Sequence, residues 1–186
     1  ISEKSPVTNI PDNITYEQAA GSAEGAYYAL DAVNMVDAMA GQKALVNGAT
    51  GAIGSAMVQF LKLYGVWVTA VCSGNNTELV KSLGADKIID FRTEDFTKDN
   101  DHYDFVFDAV AKSTFDKCKP LLKEGGIYNS SEPNLFQVLT TPLLGGKKVM
   151  FRPPKNIKAG LTFIKGALER EDFRPVIDRK YSIDKI

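Results

Sequence analysis

One stretch of the sequence decides the fold: Ala44-Leu45-Val46-Asn47-Gly48-Ala49-Thr50-Gly51-Ala52-Ile53-Gly54-Ser55. It joins an apolar strand to an amphipathic helix through a glycine-rich turn. Gly51 permits close approach of a ligand to the backbone, and Gly54 permits tight packing of helix on strand. Ala49 replaces the first glycine of the usual G-x-G-x-x-G pattern. Free N–H groups at such a helix start attract a pyrophosphate. The stretch therefore predicts a dinucleotide site formed by Gly48, Ala49, Thr50, Gly51, Ala52 and Ile53.

Apolar, β-branched runs alternate with helical segments along the rest of the chain. Helical spacing of apolar residues predicts a helix over 15–40 with a break near Gly21, and further helices over 53–64 and 157–168. Asn75 and Glu78 have the spacing of a helix capping pair. Strands are predicted over 43–48, 66–72, 87–91, 104–110, 126–130 and 147–151. This alternation favours an α/β fold: a doubly wound parallel sheet of the Rossmann type, strand order 3-2-1-4-5-6, with helices on both faces.

The end of the second predicted strand bears on the choice of cofactor. NAD sites usually place an acidic residue there, where it binds the ribose hydroxyls. The sequence instead reads Val71-Cys72-Ser73-Gly74-Asn75-Asn76, without an acid. The absence of a carboxylate permits a 2′-phosphate, to which Ser73 and Asn75 can donate hydrogen bonds and which Arg92, after the neighbouring third strand, can reach. NADPH is the predicted cofactor, and NADH remains possible.

The fourth and fifth predicted strands end in small or polar residues. Ligands of open α/β sheets lie outside the carboxyl ends of the strands. These strand ends therefore predict contacts to the nicotinamide half of the cofactor, made by Asp108, Ala109, Val110 and Ser130.

Composition excludes several classes of function. The chain has 186 residues, 24% of them charged, and a net charge of -1, which gives no basic surface for nucleic acid. A transmembrane helix would need about 20 consecutive apolar residues, and the sequence has no such run. With one histidine, His102, and two distant cysteines, Cys72 and Cys118, no metal site is expected. The low cysteine content and the polar opening residues predict a cytoplasmic location.

These motifs together resemble the nucleotide-binding domain of the medium-chain dehydrogenase/reductase (alcohol dehydrogenase) superfamily. The similarity is greatest to the zinc-free, quinone-oxidoreductase-like branch. Two positions depart from that pattern: Gly74-Asn75-Asn76 lacks a basic residue after the serine, and Gly25 stands where a threonine commonly faces the nicotinamide. The matching segments are 11–20, 44–54, 78–86, 89–91, 146–149 and 174–178.

The resemblance implies hydride transfer from NADPH to a quinone, an enone or another carbonyl compound. It also implies that residues 1–186 form the cofactor domain, with a lead-in over about 1–15 and a truncated return segment over about 175–186. The GroES-like domain that supplies most of the substrate pocket in the family is expected to be absent from this chain. The resemblance names no catalytic residue in this chain. A small-molecule substrate and possible homodimerisation are the expected partners.

Three alternatives remain at this point. Tyr181 and Lys185 have the tyrosine–lysine spacing of short-chain dehydrogenases, whose glycine turn is also similar. A non-catalytic dinucleotide-binding redox sensor would share the turn and lack turnover. The turn could also be purely structural and bind nothing.

Overall fold

The computed structural model describes residues 7–153, 155–182 and 184. Their order of elements matches the predicted alternation closely. The helices are α1 (Tyr16–Ser22), α2 (Glu24–Met35), α3 (Ala52–Leu63), α4 (Thr77–Ser82), α5 (Phe115–Cys118), α6 (Leu135–Leu144) and α7 (Ile157–Glu169). The strands are β1 (Lys43–Asn47), β2 (Trp67–Cys72), β3 (Lys87–Asp90), β4 (Tyr103–Asp108), β5 (Leu122–Ser130) and β6 (Lys148–Val149).

The six strands form one parallel sheet in the order β3-β2-β1-β4-β5-β6. The predicted Rossmann topology is therefore confirmed. The chain runs outward from β1 to β3, then crosses to β4 and continues the other way. The order reverses between β1 and β4, and ligands of such sheets bind outside the carboxyl ends at that point.

Successive residues of the strands point to opposite faces of the sheet and pack into two separate hydrophobic cores, as expected for strands buried on both faces. On one face, Val46, Val68 and Phe105 pack with residues of α2, α3 and α7. On the other face, Leu45 and Val106 pack with residues near α5. The helices thus cover both faces of the sheet, as predicted.

Local details differ from the sequence prediction in two places. The pairing of Asn75 with Glu78 is wrong, because a short 3-10 helix (Gly74–Asn76) precedes α4 and no side chain caps α4. The Asn75 side chain instead accepts a hydrogen bond from Arg92. Helices α5 and α6 were not predicted: α5 has only four residues, and α6 contains Pro142 and a largely exposed apolar surface.

Candidate dinucleotide site at the switch point

The glycine turn between β1 and α3 is held rigidly by backbone hydrogen bonds. The N–H groups of Gly48 and Ala49 both donate to the Val71 carbonyl oxygen, at 3.2 and 3.1 Å, and Gly51 N–H donates to Gly48. Gly48 has φ +82°, a left-handed conformation that favours glycine. The amides of Gly48 and Ala49 are therefore used to shape the turn, while Thr50 and the helix start remain to face a ligand.

The first turn of α3 has no side-chain cap. Its N-cap residue is Gly51, which has no side chain to accept from the first helical amides. By contrast, Thr15, Asn134 and Asn156 cap α1, α6 and α7 with their side chains. The amides that open α3 at Ala52 and Ile53 are therefore available to an anion, which the positive end of the 12-residue helix also favours.

Two further glycines allow the close packing on which the turn depends. A Cβ atom at Gly54 would overlap the carbonyl oxygen of Gly48, so only glycine fits there. A Cβ at Gly25 would lie 2.7 Å from the carbonyl carbon of Ala52. Gly25 therefore brings α2 against the start of α3. A Cβ at Gly51, in contrast, would meet only Gly48 O at 3.5 Å and would point into open space.

Asp108, at the end of β4, is the buried polar centre of the switch point. Its side chain lies beside Asn47 at the end of β1, whose Nδ2 donates to Oδ1 over 2.9 Å. The backbone N–H of Ser113 and the hydroxyl of Tyr128 donate to Oδ2, at 2.7 and 3.2 Å. Burial, reinforced by the nearby Asp108 carboxylate, raises the pKa of Tyr128. The Asp108 carboxylate thus connects the ends of β1, β4 and β5 at the edge of the site.

A cavity of about 780 Å³ lies on the β2 side of the turn, and we call it the β2-side cavity. Its floor is formed by Gly48, Thr50 and Gly51, and Val110 lies against Gly48. The loop after β3 supplies charged groups of both signs. These lining residues are Arg92, Glu94 and Asp95, joined by Lys112 from the loop after β4.

Of the residues predicted to recognise a 2′-phosphate, Arg92 lines this cavity, whereas Ser73 and Asn75 lie outside its lining. Arg92 donates to Asn75 Oδ1 at 3.3 Å and lies 3.4 Å from Asp90 Oδ1. Ser73 accepts from Asn76 at 2.9 Å. Hydrogen bonding from the backbone N–H of Arg92 lowers the pKa of Asp90, which remains ionised beside Gly74. The β3 strand thus brings a carboxylate to the place where the end of β2 lacks one, and Arg92 partly neutralises it.

A second cavity, of about 460 Å³, lies on the β4 side of the turn, and we call it the β4-side cavity. Asp108, Ala109 and Ser130, which are predicted to contact the nicotinamide half, line it together with Asn129, whose Nδ2 donates to Met150 O at 2.9 Å. Val110 is 41% exposed and faces the β2-side cavity instead. The predicted residues are therefore divided between two cavities, and the α3 amino end lies between them.

Several lining residues escaped the sequence analysis. Helix α2 contributes Tyr28, Asp31, Ala32 and Met35 to the β4-side cavity, and the segment after β6 contributes Phe151 and Arg152. The i, i+3, i+4, i+7 spacing of the α2 residues was a usable signal. The helical periodicity of this segment is dominated by neighbouring residues that are buried in the core, Leu30, Val33 and Val36.

The described residues do not fit a metal site. They contain no group of three or more His, Cys, Asp or Glu side chains that could hold a metal ion. Cys72 and Cys118 are buried in the cores on opposite faces of the sheet. Burial raises the pKa of Cys118 to about 11, which disfavours the thiolate that metals bind.

The short-chain alternative depends on Tyr181 and Lys185. Tyr181 lies outside the helices, 61% exposed. Lys185 lies outside the described residues, as do the first residues of the lead-in. Within the described chain, no helix is long and apolar enough to span a membrane.

The fold and the site define the class of protein: a Rossmann-type domain with an uncapped helix start at its switch point. The chain belongs to the zinc-binding dehydrogenase family, which it matches over residues 83–186. It is 39% identical over 118 residues to the NADPH-dependent alkenal/one oxidoreductase, chloroplastic, of Arabidopsis thaliana, a match covering 62% of this chain and 30% of that protein. It is 32% identical over 180 residues to the 2-methylene-furan-3-one reductase of Solanum lycopersicum, covering 95% of this chain and 43% of that protein.

A solved structure confirms the fold. The quinone oxidoreductase of Coxiella burnetii superposes with a TM-score of 0.78 at 23% identity, covering 92% of this chain and 55% of that chain. The matched region thus spans less than half of the curated relatives cited. The predicted resemblance to the alcohol dehydrogenase superfamily is confirmed by the family match.

Proposed function

We propose that this chain is the cofactor-binding domain of an NADPH-dependent oxidoreductase that transfers hydride to a quinone, an enone or another carbonyl compound. The observation that carries the proposal is the uncapped amino end of α3, set between two cavities at the switch point. The names of the cited relatives, an alkenal/one oxidoreductase and a furanone reductase, support the same class of acceptor.

The two cavities suit the two halves of a dinucleotide. In a doubly wound sheet the adenosine half lies beside the strands that follow the glycine turn. The β2-side cavity would then hold the adenosine half, and the β4-side cavity the nicotinamide. The pyrophosphate would lie between them, bound by the amides of Ala52 and Ile53. The bound cofactor supplies the hydride, and the protein orients it and the acceptor.

NADPH is the proposed cofactor because Arg92, one of two cations that line the β2-side cavity, lies beside the end of β2. Its guanidinium is 46% exposed on the side chain and retains donors beyond its contacts with Asp90 and Asn75. A bidentate guanidinium suits a phosphate group well. Asp90 would favour the ribose hydroxyls of NADH, so selectivity for NADPH is proposed to be moderate.

The remaining expectations stay proposals. Residues 1–186 would form a single cofactor domain, and most of the substrate pocket would come from a GroES-like domain. A cytoplasmic location and a homodimer stay predictions, and the name of the Arabidopsis relative places that protein in the chloroplast.

Calorimetric titration of the chain with NADPH and NADH tests the proposal. We expect NADPH to bind, and Gly51→Val to weaken it by at least about tenfold, because the side chain would occupy the place of the pyrophosphate. Gly166→Val is the matched control: Gly166 lies on α7, lines neither cavity and faces only the flexible end of Arg170. Equal affinities in the parent and Gly51→Val, or no NADPH binding by the parent, would contradict the proposal.

Turnover distinguishes the enzyme from the redox sensor. The full-length protein is expected to oxidise NADPH when given a panel of quinones and enones. A protein that binds NADPH yet reduces none of them would favour the sensor. Replacing Tyr181 by Phe should leave turnover unchanged, whereas abolished turnover would revive the short-chain alternative.

A further inference from the structure

The wall of the β4-side cavity contains one ion pair, between α2 and the segment that follows β6. Arg152 Nε lies 3.5 Å from Asp31 Oδ2, and the Lys155 backbone N–H donates to Asp31 Oδ1 at 3.3 Å. The Asp31 side chain is 11% exposed and that of Arg152 is 40% exposed. Both carboxylate oxygens of Asp31 are therefore engaged, and Oδ2 orients the Arg152 guanidinium through its Nε.

The terminal nitrogens of Arg152 are the unused charged donors of this cavity among the described residues. Among the described residues, the Arg152 side chain makes a hydrogen bond only through Nε. Three other polar side chains of the wall are engaged: Asp108 accepts from four donors, Asn129 donates to Met150, and Ser130 accepts from Glu132. The hydroxyls of Tyr28 and Ser131 also line the cavity, but they carry no charge. Arg152 is thus a positioned cation with free N–H groups beside the proposed nicotinamide position.

Most of the remaining wall residues are apolar. Met35 and Met57 have flexible thioether side chains that can pack against differently shaped ligands. The aromatic and aliphatic members are Tyr28, Ala32, Ile53, Phe107, Phe151 and Pro153. A cavity with one cation in an apolar wall fits an acceptor with an apolar body and a single electron-rich oxygen.

We propose that Arg152 binds the carbonyl oxygen of the hydride acceptor and stabilises the negative charge that develops there, an assignment that rests on the proposed function. Hydride addition at the β-carbon of an enone moves the C=C electron pair so that the carbonyl oxygen becomes an enolate oxygen. The N–H groups of Arg152 hydrogen-bond to that oxygen. Water then protonates the α-carbon, which gives the saturated ketone and leaves the cofactor oxidised. The charge appears mainly in the transition state, so the contact favours reaction more than binding.

Asp31 is a positioning residue in this assignment. Its contact at 3.5 Å fixes the orientation of the guanidinium without occupying the terminal nitrogens. Lys155 contacts Asp31 only through its backbone N–H and does not line the β4-side cavity; it lines the neighbouring surface cleft, which Asp31 and Arg152 also border. Removing the Lys155 charge is therefore the matched control for removing that of Arg152.

The test uses 4-nitrophenol, whose phenolate resembles an enolate and is followed by its visible absorbance. We expect the chain without cofactor to bind the phenolate, and Arg152→Gln to weaken that binding about tenfold. Arg152→Lys should retain part of the affinity, because it keeps the charge but loses the planar pair of donors. Lys155→Gln should match the parent, and the neutral analogue 4-nitroanisole should bind parent and Arg152→Gln equally. Thermal unfolding checks that each variant is folded.

Three results would overturn the assignment: no phenolate binding by the parent, equal binding by Arg152→Gln, or an equal loss in Lys155→Gln. NADPH titration of the same samples separates this proposal from the proposed function. If the parent binds NADPH and Arg152→Gln does not alter phenolate binding, only the role of Arg152 fails. If the parent binds no NADPH, the proposed function fails whatever the phenolate shows.

Discussion

The two cavities beside β1 are built in different ways. The β2-side cavity is wide and lined by exposed charges of both signs, carried by loops after β3 and β4. The β4-side cavity is smaller, mostly apolar and supported by two helices and the end of β6, with one anchored ion pair. A charged, exposed surface suits recognition of a phosphate-bearing group. A mostly apolar wall with one oriented cation suits chemistry at a carbonyl, because electrostatic contacts are stronger where less water surrounds them.

The glycine turn and the helix start that follows it lie between the two cavities. A substitution that disturbs the turn should cause the largest loss of stability. Gly54→Ala would place a Cβ against the Gly48 carbonyl oxygen, and the backbone must shift to accommodate it. We expect a loss of about 3 kcal/mol in the free energy of unfolding, and hence a fall in Tm of about 6–12 °C. Thermal unfolding measures the change. Gly166→Ala on α7 is the control and should be neutral or slightly stabilising, so equal melting of the two variants would contradict this account.

The Asp108 side chain connects Asn47 at the end of β1 with Tyr128 of β5. Its replacement should cause the next largest loss of stability. In Asp108→Asn, an amide N–H group would face donors that now meet a carboxylate oxygen. The expected loss is about 2 kcal/mol in the free energy of unfolding, measured in urea. Tyr128→Phe removes a single donor at 3.2 Å and should cost about 1 kcal/mol. A larger loss in Tyr128→Phe would show that Asp108 is not the centre of the network.

Arg92→Gln should weaken ligand binding in the β2-side cavity and leave ligand binding in the β4-side cavity unchanged. Its guanidinium is the proposed phosphate ligand, so NADPH affinity should fall about tenfold while NADH affinity stays within about twofold. Binding of 4-nitrophenolate in the β4-side cavity should be unaltered. Lys98→Gln is the control, because Lys98 is exposed and does not line the cavity. Equal weakening of NADPH and NADH would assign Arg92 a general rather than a phosphate-specific role.

The smallest effect on stability is expected at the amino ends of the strands, which line neither cavity. Hydrogen bonds from Lys87 and Lys43, at 2.8 and 2.9 Å, lower the pKa of Asp101 to about 2. Its folded pKa lies below the ordinary value of 3.8, so the stabilisation is present above about pH 4 and is lost as the pH falls toward 2. Asp101→Asn should therefore cost about 1 kcal/mol at pH 6, after allowance for solvent screening. The difference from the parent should shrink as the pH falls through about 2 and vanish only below it, and NADPH affinity should not change at neutral pH.

The sheet could be predicted from the sequence because its strands are continuous apolar runs separated by turn residues. The glycine turn was predictable for the same reason, since it lies between such a strand and an amphipathic helix. Helix α6 was not predicted, because its apolar residues cover an exposed surface and Pro142 interrupts it. Apolar residues recur at helical spacing where one face of a helix packs into a core. Helix α6 buries few of its side chains, so its sequence lacks this pattern.

Pairings between distant segments account for what the sequence did not reveal at the site. Arg92 was found because it directly follows a strand. Asp90 was overlooked as the missing acid, because only the β2–β3 register places it opposite Cys72 and beside Gly74. Asp31 and Arg152 are 121 residues apart, and each alone is typical of a solvated surface charge.

The central claim is that the amides opening α3 bind the cofactor's pyrophosphate. Amide chemical-shift mapping by NMR, with NADP⁺ added to the isotopically labelled chain, tests it most directly. We predict the largest shifts at Thr50, Gly51, Ala52 and Ile53, with smaller shifts along both cavities. Shifts confined to other surfaces, with these four amides unmoved at saturation, would contradict the claim.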